Sequence, residues 1–387
     1  MRANPGGQLS PTEVSGRDEL IRRLWRILEQ RGVVLSAERR MGKTSMVKKM
    51  VAEAPPDVLP LYHDLEGVRT PLDFVEIVFH DVAAYLGRLQ KITMKSRQWL
   101  AGLEIKDFVK FPDTLAPQWK TLLTKTIEDL VEHQDRTVIF FWDEMPLMLY
   151  NIKQRSGEEA AMEVLDTLRS LRQMHPGLRM VFTGSIGLHN VITGLKRSGY
   201  ANDPTNDMAT VDVPPLAPDH ARELARLLLD GENIAAQDRE DVARAVAAAV
   251  DGIPYFIHHV VEQMALREGP MDAATAEEIV AACLTDPQDC WHLRYYRERI
   301  NTYYSVAEQG FALNLLDILA VAGGPLPFPE LFNRLKSQLP TEDSELARDV
   351  LGLLLRDHYI VQETAGEYRF RFSLIQRCWR LQRGVAP

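Results

Sequence analysis

Residues 35–45 read LSAERRMGKTS, and they decide which fold the sequence predicts. The stretch ends in Gly42-Lys43-Thr44, after the short apolar run GVVLSA and before TSMVKKMVAEA, which has the pattern of a helix. A phosphate-binding loop consists of a strand, a tight turn that presents backbone N–H groups, and a helix whose N-terminus faces the anion. This order therefore predicts a phosphate-binding loop within a parallel α/β sheet.

Each residue type at the end of this stretch suits that chemistry. Gly42 lets the backbone approach the phosphates, Lys43 can reach the β- and γ-phosphates, and Thr44 can hold Mg²⁺. Ala37 stands where the first glycine of such a loop is expected. Its side chain is only a methyl group, so we interpret Ala37 as a tolerated variant.

Two arginines lie inside the predicted loop, and their role is open from sequence alone. Arg39 and Arg40 could contact phosphates or a neighbouring acid, and solvated side chains are an equally good interpretation. The residues from which we expect nucleotide contacts here are Ala37, Arg39, Arg40, Met41, Gly42, Lys43, Thr44 and Ser45.

A second motif lies where such a fold would need it. VIFFWDE at 138–144 reads as a buried strand that ends in two carboxylates. Asp143 fits a Mg²⁺ ligand beside Thr44, and Glu144 fits the general base that polarises an attacking water. The alternative is a solvated acidic turn, which five apolar residues before the acids and Pro146 after them make less favourable.

Two further groups are candidates for the chemistry. Ser185, with Thr183, ends the strand RMVFTGS, and a hydroxyl there could orient the water or contact the γ-phosphate. A simple turn at the end of the strand is nearly as good an interpretation. Arg169 and Arg172 share one face of a predicted helix and are candidate arginine fingers toward a neighbouring subunit, although a solvated face is the more ordinary interpretation.

The composition sets outer limits on function. The chain has 387 residues, 45% hydrophobic and 26% charged, which is ordinary for a globular protein with two or three domains. Its net charge of −9 argues against a general polyanion binder. The odd count of 3 cysteines argues against a disulfide framework. No apolar stretch approaches the roughly 20 residues of a membrane helix, so we expect no membrane partner and a cytoplasmic location.

The order of predicted elements gives the architecture. Strands alternate with helices to about residue 213, the pattern then becomes helical, and the tail reads as three helices, a β-hairpin and a last helix. We predict an α/β P-loop NTPase core with a parallel sheet between helices, then an all-α lid and a winged-helix domain. The expected divisions are a flexible leader 1–15, core 16–213 with a candidate insertion 90–118, lid 214–306 and winged helix 307–387.

The winged helix raises the question of DNA. Its predicted third helix, TEDSELARDVLGLLLRDHY, carries acids in its first turn, which would repel phosphates. Basic residues cluster instead in the wing and last helix, at Arg369, Arg371, Arg377, Arg380 and Arg383. DNA binding through the wing is thus an alternative that the sequence does not favour. The other interpretation is that this domain is the moving part of a switch.

Taken in order, the segments EVSGRDELIRRL, ERRMGKTS, FFWDE, FTGS, VPPL and DGIPYF make the chain resemble the STAND and archaeal-type AAA ATPases, relatives of the origin-recognition ATPases. The resemblance covers about residues 14–262, and the tail more weakly. It implies that Val14, Gly16 and Arg17 lie near the adenine base, and that Gly252, Ile253 and Pro254 approach the nucleotide. Many STAND members place an arginine at the end of the fourth strand, where this chain has Gly184-Ser185.

These observations lead to three functional hypotheses. The first is a Mg²⁺-dependent ATPase that acts as a molecular switch, with ATP as ligand and with homo-oligomerisation or an unidentified protein partner as its output. The second is a DNA-loaded ATPase regulator of the replication or transposition type. The third is a nucleotide-dependent scaffold that does not hydrolyse ATP. No Asn-Lys-x-Asp motif is present, which argues against a GTPase.

Overall fold

The computed structural model describes residues 1–88, 98, 110–133, 135–184, 187–197 and 203–385. The chain forms two compact units. The sheet unit comprises Asp18–Ser36 and Lys43–Val213, and the helical unit comprises Met1–Arg17, Ala37–Gly42 and Pro214–Pro387. Most of the candidate insertion at 90–118 lies outside the described residues.

The sheet unit is built on five parallel strands in the order β2-β3-β4-β1-β5. They are β1 (Val33–Ser36), β2 (Val58–Asp64), β3 (Thr137–Asp143), β4 (Leu178–Phe182) and β5 (Ala209–Asp212). All five lie in the part of the chain, up to about residue 213, in which the sequence predicts strands that alternate with helices. Since the strands are parallel, their carboxyl ends share one edge of the sheet, and the loop of residues 37–42 follows β1 at that edge.

Seven α-helices of the sheet unit lie among the described residues. They are α1 (Asp18–Leu28), α2 (Lys43–Ala52), α3 (Pro71–Arg88), α4 (Trp119–Glu132), α5 (Met145–Ser156), α6 (Glu158–Met174) and α7 (Leu188–Arg197). Helix α5 is not among the predicted elements. Pro146 lies in its first turn, where a missing N–H costs nothing, and Met148, Leu149 and Ile152 are buried at helical spacing.

The core of the sheet unit covers both faces of the sheet. Six consecutive residues of β3, from Val138 to Asp143, are buried, and successive side chains of a strand point to opposite faces. Trp142 lies in an aromatic cluster, with its ring centroid 5.1 Å from that of Phe74 and 4.9 Å from that of Phe140. A strand that is apolar throughout is therefore the expected sequence for this position.

The helical unit begins, after β5, with five helices. They are α8 (Pro218–Gly231), α9 (Arg239–Ala249), α10 (Pro254–Ala265), α11 (Ala273–Thr285) and α12 (Tyr295–Tyr303). This all-α segment has the character predicted for the lid. Throughout the part of the chain that the structure describes, no helix is long and apolar enough to cross a membrane.

The tail has the order of elements of a winged helix. It comprises α13 (Val306–Val321), β6 (Leu326–Pro327), α14 (Phe328–Gln338), α15 (Ser344–Arg356), β7 (Ile360–Gln362), β8 (Glu367–Phe370) and α16 (Ser373–Arg383). The three strands form an antiparallel sheet in the order β6-β8-β7. Gly366 makes the hairpin turn with a φ of 84°.

The N-terminal segment makes contacts within the helical unit. The backbone N–H of Asn4 donates to Nδ1 of His258 over 3.2 Å, and that of Ala3 donates to Glu232 over 2.8 Å. The exact divisions into leader, core, lid and winged helix stay a prediction.

Candidate functional site

The loop helix and the acidic strand meet at the carboxyl edge of the sheet. Thr44, in the first turn of α2, donates from Oγ1 to Oδ2 of Asp143, the last residue of β3, over 2.6 Å. The two residues are 99 positions apart in the chain. Asp143 is buried, and this hydrogen bond satisfies one of its carboxylate oxygens. The structure thus brings together the two residues predicted as metal ligands.

This pair is chemically suited to magnesium. Mg²⁺ takes oxygen ligands and is usually held by one or two protein oxygens together with phosphates and waters. A threonine hydroxyl and a carboxylate in direct contact offer that set of oxygens, so Thr44 and Asp143 would hold the ion. When bound, the ion would neutralise charge on the β- and γ-phosphates.

Glu144, the predicted general base, has a special backbone conformation. It lies directly before α5 with a φ of 55°, in the left-handed region that non-glycine residues seldom adopt. Its N–H donates to Oδ1 of Asp143 over 3.0 Å. This conformation turns the chain sharply between β3 and α5, and such strain is often found at functional sites.

Tyr62 is a member of this edge that the sequence analysis misses. Its hydroxyl lies 3.5 Å from Oδ2 of Asp143, and β2 pairs with β3 in register up to Asp64 and Asp143. Burial and then the negative charge of Asp143 raise the pKa of Tyr62, which keeps the phenol protonated as a donor. The polar residues Tyr-His-Asp at the end of β2 are the sequence feature from which a role for Tyr62 at this edge could have been predicted.

The end of β4 contributes Thr183 to the same edge. Its N–H donates to the carbonyl of Trp142, its carbonyl accepts from the N–H of Met145, and its side chain is buried. Within the described part of the chain, Oγ1 of Thr183 has no hydrogen-bond partner. Ser185, the predicted catalytic hydroxyl, lies outside the described residues.

Gly184 has a packing reason to be glycine. A Cβ at this position would lie 2.6 Å from Cδ of Pro146 and 3.4 Å from Cα of Glu144. Any larger side chain here would displace the start of α5. The close approach explains the glycine after Thr183.

The loop that links β1 to α2 belongs to the helical unit up to Gly42. Gly42 has a φ of 78°, which strongly favours glycine even though a Cβ there would meet no atom within 4 Å. Ala37 lies outside the left-handed region. The first position of this loop therefore does not demand a glycine. Lys43, which begins α2, is buried within the sheet unit.

Arg17, 24 positions before Met41, contacts the loop. It is buried, and its guanidinium donates to the carbonyl of Met41 over 2.8 Å and to that of Pro214 over 2.7 Å. Burial lowers the pKa of Arg17 to about 10, so it stays charged at neutral pH. The preceding Gly16 has a φ of 68°, and a Cβ on it would lie 2.8 Å from His220. Val14 is also buried.

Arg39 and Arg40 are not simply solvated. The guanidinium of Arg39 lies 4.4 Å from the ring centroid of Tyr295 on α12, and that of Arg40 lies 3.6 Å from the ring of Tyr255 on α10. Arg40 has a φ of 73°. Both cations lie over aromatic faces, which attract them electrostatically.

Glu38 and Arg299 form a buried ion pair that sequence reasoning misses. Nη1 of Arg299 lies 3.0 and 3.1 Å from the two carboxylate oxygens of Glu38, and the two residues are 261 positions apart in the chain. Burial alone would lower the pKa of Arg299, but the charges of Glu38 and Asp357 raise it well above its ordinary value. A carboxylate inside a predicted phosphate loop indicates that a cation lies nearby. The sequence does not indicate which cation.

The Gly-Ile-Pro segment forms the start of α10. Pro254 occupies the first turn, and Gly252 has a φ of 67° and accepts from the N–H of Leu216 over 3.0 Å. A Cβ on Gly252 would lie 2.8 Å from the carbonyl oxygen of Leu216. A cavity of about 380 Å³ adjoins these residues, between α8 and α9.

Of the two arginine-finger candidates, Arg172 is bound by partners within the sheet unit. Its Nε and Nη2 donate to the two carboxylate oxygens of Asp207, each over 2.8 Å, and Nη2 also donates to the carbonyl of Pro204. Burial would raise the pKa of Asp207, but the Arg172 guanidinium holds it below its ordinary value. Arg172 is therefore structural. Arg169 donates to the carbonyl of Asp203 over 3.1 Å.

The basic residues of the wing and last helix have partners within the helical unit. Arg369 donates to Glu363, Arg377 to Glu277, and Arg383 binds both oxygens of Asp317. Arg371 contacts His358, and Arg380 donates to the carbonyl of Ala320. Three of the five, Arg369, Arg377 and Arg383, are therefore paired with carboxylates.

Comparison with known proteins concerns the fold. No protein-family model and no curated protein matches the chain. A Walker-type ATPase of Pyrococcus abyssi aligns over 98% of this chain and 100% of its own, with 17% identity and a TM-score of 0.66. The Aeropyrum pernix ORC2 protein, solved as ADPNP-ADP complexes, aligns over 98% of both chains, with 11% identity and a TM-score of 0.57.

A Pyrococcus horikoshii STAND protein with a tetratricopeptide repeat sensor aligns over 97% of this chain and 43% of its own, with 14% identity and a TM-score of 0.39. The first two similarities extend over the whole length of both chains. The chain has the fold of the archaeal Walker-type ATPases, including an ORC protein. This confirms the predicted fold class: a P-loop core, a helical segment and a C-terminal domain.

Proposed function

We propose that this protein binds ATP with Mg²⁺, hydrolyses it, and uses the nucleotide state as a molecular switch. The observation that carries the proposal is the contact between Thr44 and Asp143, 2.6 Å from Oγ1 to Oδ2. It joins a Gly-Lys-Thr loop to the acid at the end of a buried strand. The fold shared with Walker-type ATPases supports the same conclusion.

In this proposal each residue has a distinct task. The backbone around Gly42 and the ammonium of Lys43 bind the phosphates, and Thr44 and Asp143 hold Mg²⁺. Glu144, next to Asp143, accepts a proton from the attacking water. Val14, Gly16, Arg17 and Pro254 are the proposed contacts to the rest of the nucleotide. The output is a change in winged-helix position, self-association or partner binding.

The experiment that tests hydrolysis compares wild type with Glu144→Gln and Glu159→Gln. Glu159 is an acid in the first turn of α6, outside the proposed site, and so is a matched control. We expect Glu144→Gln to keep ATP binding but to lose about 100-fold or more in turnover, as for removal of a general base. Glu159→Gln should behave as wild type. Turnover unchanged in Glu144→Gln would exclude Glu144 as base, and no turnover in wild type would favour the non-hydrolysing scaffold.

The second candidate, a DNA-loaded ATPase, is favoured by one observation, the winged-helix order of elements at the C-terminus. The paired arginines of the wing and the Glu345 side chain in the first turn of α15 argue against it. Anisotropy of a labelled DNA duplex at low salt, with and without ATP, separates the two. Binding that strengthens with ATP and falls steeply with salt would establish the second candidate.

A further inference from the structure

One residue of the phosphate loop has the wrong charge for a phosphate site. Glu38 lies between Ala37 and Arg39, and its side chain is only 1% exposed. A carboxylate in this loop repels a polyanion unless a cation neutralises it. Arg299, itself 2% exposed, does so through Nη1, which contacts both oxygens of Glu38.

The same guanidinium also contacts the winged helix. Nη2 of Arg299 donates to the carbonyl of Asp357, and it lies 3.5 Å from Oδ1 of that residue. Asp357 directly follows α15, the third helix of the winged helix, and its Oδ2 accepts from the hydroxyl of Tyr304 over 2.8 Å. Arg299 therefore links a carboxylate of the loop to one of the winged helix.

Aromatic residues fix the orientation of that link. The guanidinium of Arg299 lies 4.7 Å from the ring centroid of Tyr359, whose hydroxyl donates to the carbonyl of Tyr296 over 2.5 Å. Nε of Arg299 is buried and has no hydrogen-bond partner within the described residues. Burial of a cation with one unsatisfied donor costs free energy. The position of Arg299 therefore depends on its two carboxylate partners.

The neighbouring loop residues are held from the same side. Arg39 lies over Tyr295, which is on α12 with Arg299, and Arg40 adopts a φ of 73° over Tyr255. A left-handed conformation at a non-glycine residue persists only where its surroundings support it. The shape of residues 38–40 therefore depends on helices outside the loop.

We propose that Arg299 is a positioning residue that couples occupancy of the phosphate loop to the winged helix. This inference rests on the proposed ATP binding and names its regulation. When Asp357 and Glu38 both hold Arg299, the guanidinium is fixed against Glu38 and offsets its charge, and the loop accepts the triphosphate. When the winged helix withdraws Asp357, Arg299 loses one of the two partners that fix it against Glu38, and the phosphates bind more weakly. By linkage, ATP in turn holds the winged helix.

The test uses the full chain in four forms: wild type, Arg299→Gln, Glu38→Gln with Arg299→Gln, and a control. The control is Asp317→Asn with Arg383→Gln, which removes a bidentate pair of the winged helix that does not contact the loop. Two quantities are measured: the affinity for a fluorescent ATP analogue in Mg²⁺, and hydrogen exchange of α15 with and without MgATP. The exchange response is the measurement that a purely structural role of Arg299 would leave unchanged.

We expect Arg299→Gln to bind ATP about tenfold or more weakly, and the double variant at Glu38 and Arg299 to recover most of that affinity. In wild type and control, MgATP should slow exchange in α15, whereas the double variant should bind ATP without this response. Because Arg299→Gln leaves a buried charge unpaired and can fail to fold, the double variant alone is sufficient for the decision.

The outcomes separate this inference from the function on which it rests. If the double variant binds ATP and still shows the wild-type exchange response in α15, the coupling role of Arg299 is wrong while ATP binding stands. If Arg299→Gln folds and binds ATP as wild type does, the positioning role is wrong. If wild type itself binds no ATP, the proposed function fails and this inference with it.

Discussion

Thr44 and Asp143 are in direct contact, with Oγ1 of the threonine 2.6 Å from Oδ2 of the aspartate. One follows a glycine-containing turn at the start of α2, and the other ends a strand that is buried on both faces. A short hydrogen bond from a hydroxyl to a buried carboxylate fixes the position of both groups. The contact defines the point at which we place the metal and the phosphates.

Removal of the Thr44 hydroxyl should therefore weaken Mg²⁺-dependent binding. We expect Thr44→Ala to lower ATP affinity in Mg²⁺ by about tenfold or more, since a hydrogen bond to a charged group contributes roughly 1.5–3 kcal/mol. Titration of a fluorescent ATP analogue measures it. Thr44→Ser, which keeps the hydroxyl, should stay close to wild type, and in EDTA the two variants should converge. Equal affinity of Thr44→Ala and wild type in Mg²⁺ would remove Thr44 from the metal site.

The turn at Gly42 offers a test of backbone conformation. Gly42 has a φ of 78°, so Gly42→Ala places a Cβ in the left-handed region and should cost about 1–2 kcal/mol. We expect ATP affinity to fall by roughly fivefold or more because the loop no longer holds its shape. Gly67→Ala is the matched control, since Gly67 has open space for a Cβ and no positive φ. A Gly42→Ala protein with wild-type affinity would show that the turn is not needed for binding.

Arg172 should behave as a stability residue. Its side chain is 5% exposed and pairs with Asp207. Arg172→Ala leaves that carboxylate unpaired and should cost about 3 kcal/mol, seen as a lower thermal unfolding midpoint. Arg169→Ala, at a more exposed position one turn away, should change it by less than about 0.5 kcal/mol. An Arg172→Ala protein with normal stability but lost ATP turnover would restore the arginine-finger interpretation.

His258 should make the helical unit sensitive to acid. Burial lowers its pKa to about 4, from 6.5 in an exposed histidine. The folded state thus binds its proton less readily than the unfolded state, and stability is full above pH 6.5 and falls as the pH drops from 6.5 toward 4. At pH 4 the loss should reach about 3 kcal/mol.

Denaturant unfolding at pH 7 and at pH 4.5 measures this effect. His258→Gln removes the titrating group and should flatten the pH dependence of the free energy of unfolding, whereas His220→Gln, at an exposed position on α8, should leave it unchanged. The same pH dependence in wild type and His258→Gln would contradict the assignment.

Local signals in the sequence were enough to predict the architecture. The five strands follow apolar runs, and the loop follows from Gly42-Lys43-Thr44 between an apolar run and a helical pattern. The meeting of Thr44 and Asp143 follows from the parallel sheet, because the carboxyl ends of neighbouring strands share an edge. Helix α5, which begins directly after the two acids at the end of the predicted strand, was not predicted.

The partners of buried charges could not be predicted. Glu38 and Arg299 are 261 positions apart, and no local sequence pattern at either residue identifies the other as its partner. The sequence places Arg172 on a helix face that is ordinarily solvated, and only the tertiary structure brings Asp207 to it. Such pairs are set by tertiary packing, which hydrophobic periodicity in the sequence does not predict.

Calorimetric titration of the 387-residue chain with ATP in Mg²⁺ tests the central claim most directly. The account predicts saturable, Mg²⁺-dependent binding by wild type and by Lys120→Ala, a remote lysine on α4 whose ammonium pairs with Glu163. It predicts that Lys43→Ala binds at least about 30-fold more weakly, because a charge-assisted contact to the phosphates is lost. Wild type that binds no ATP, or Lys43→Ala that binds it equally well, would contradict the account.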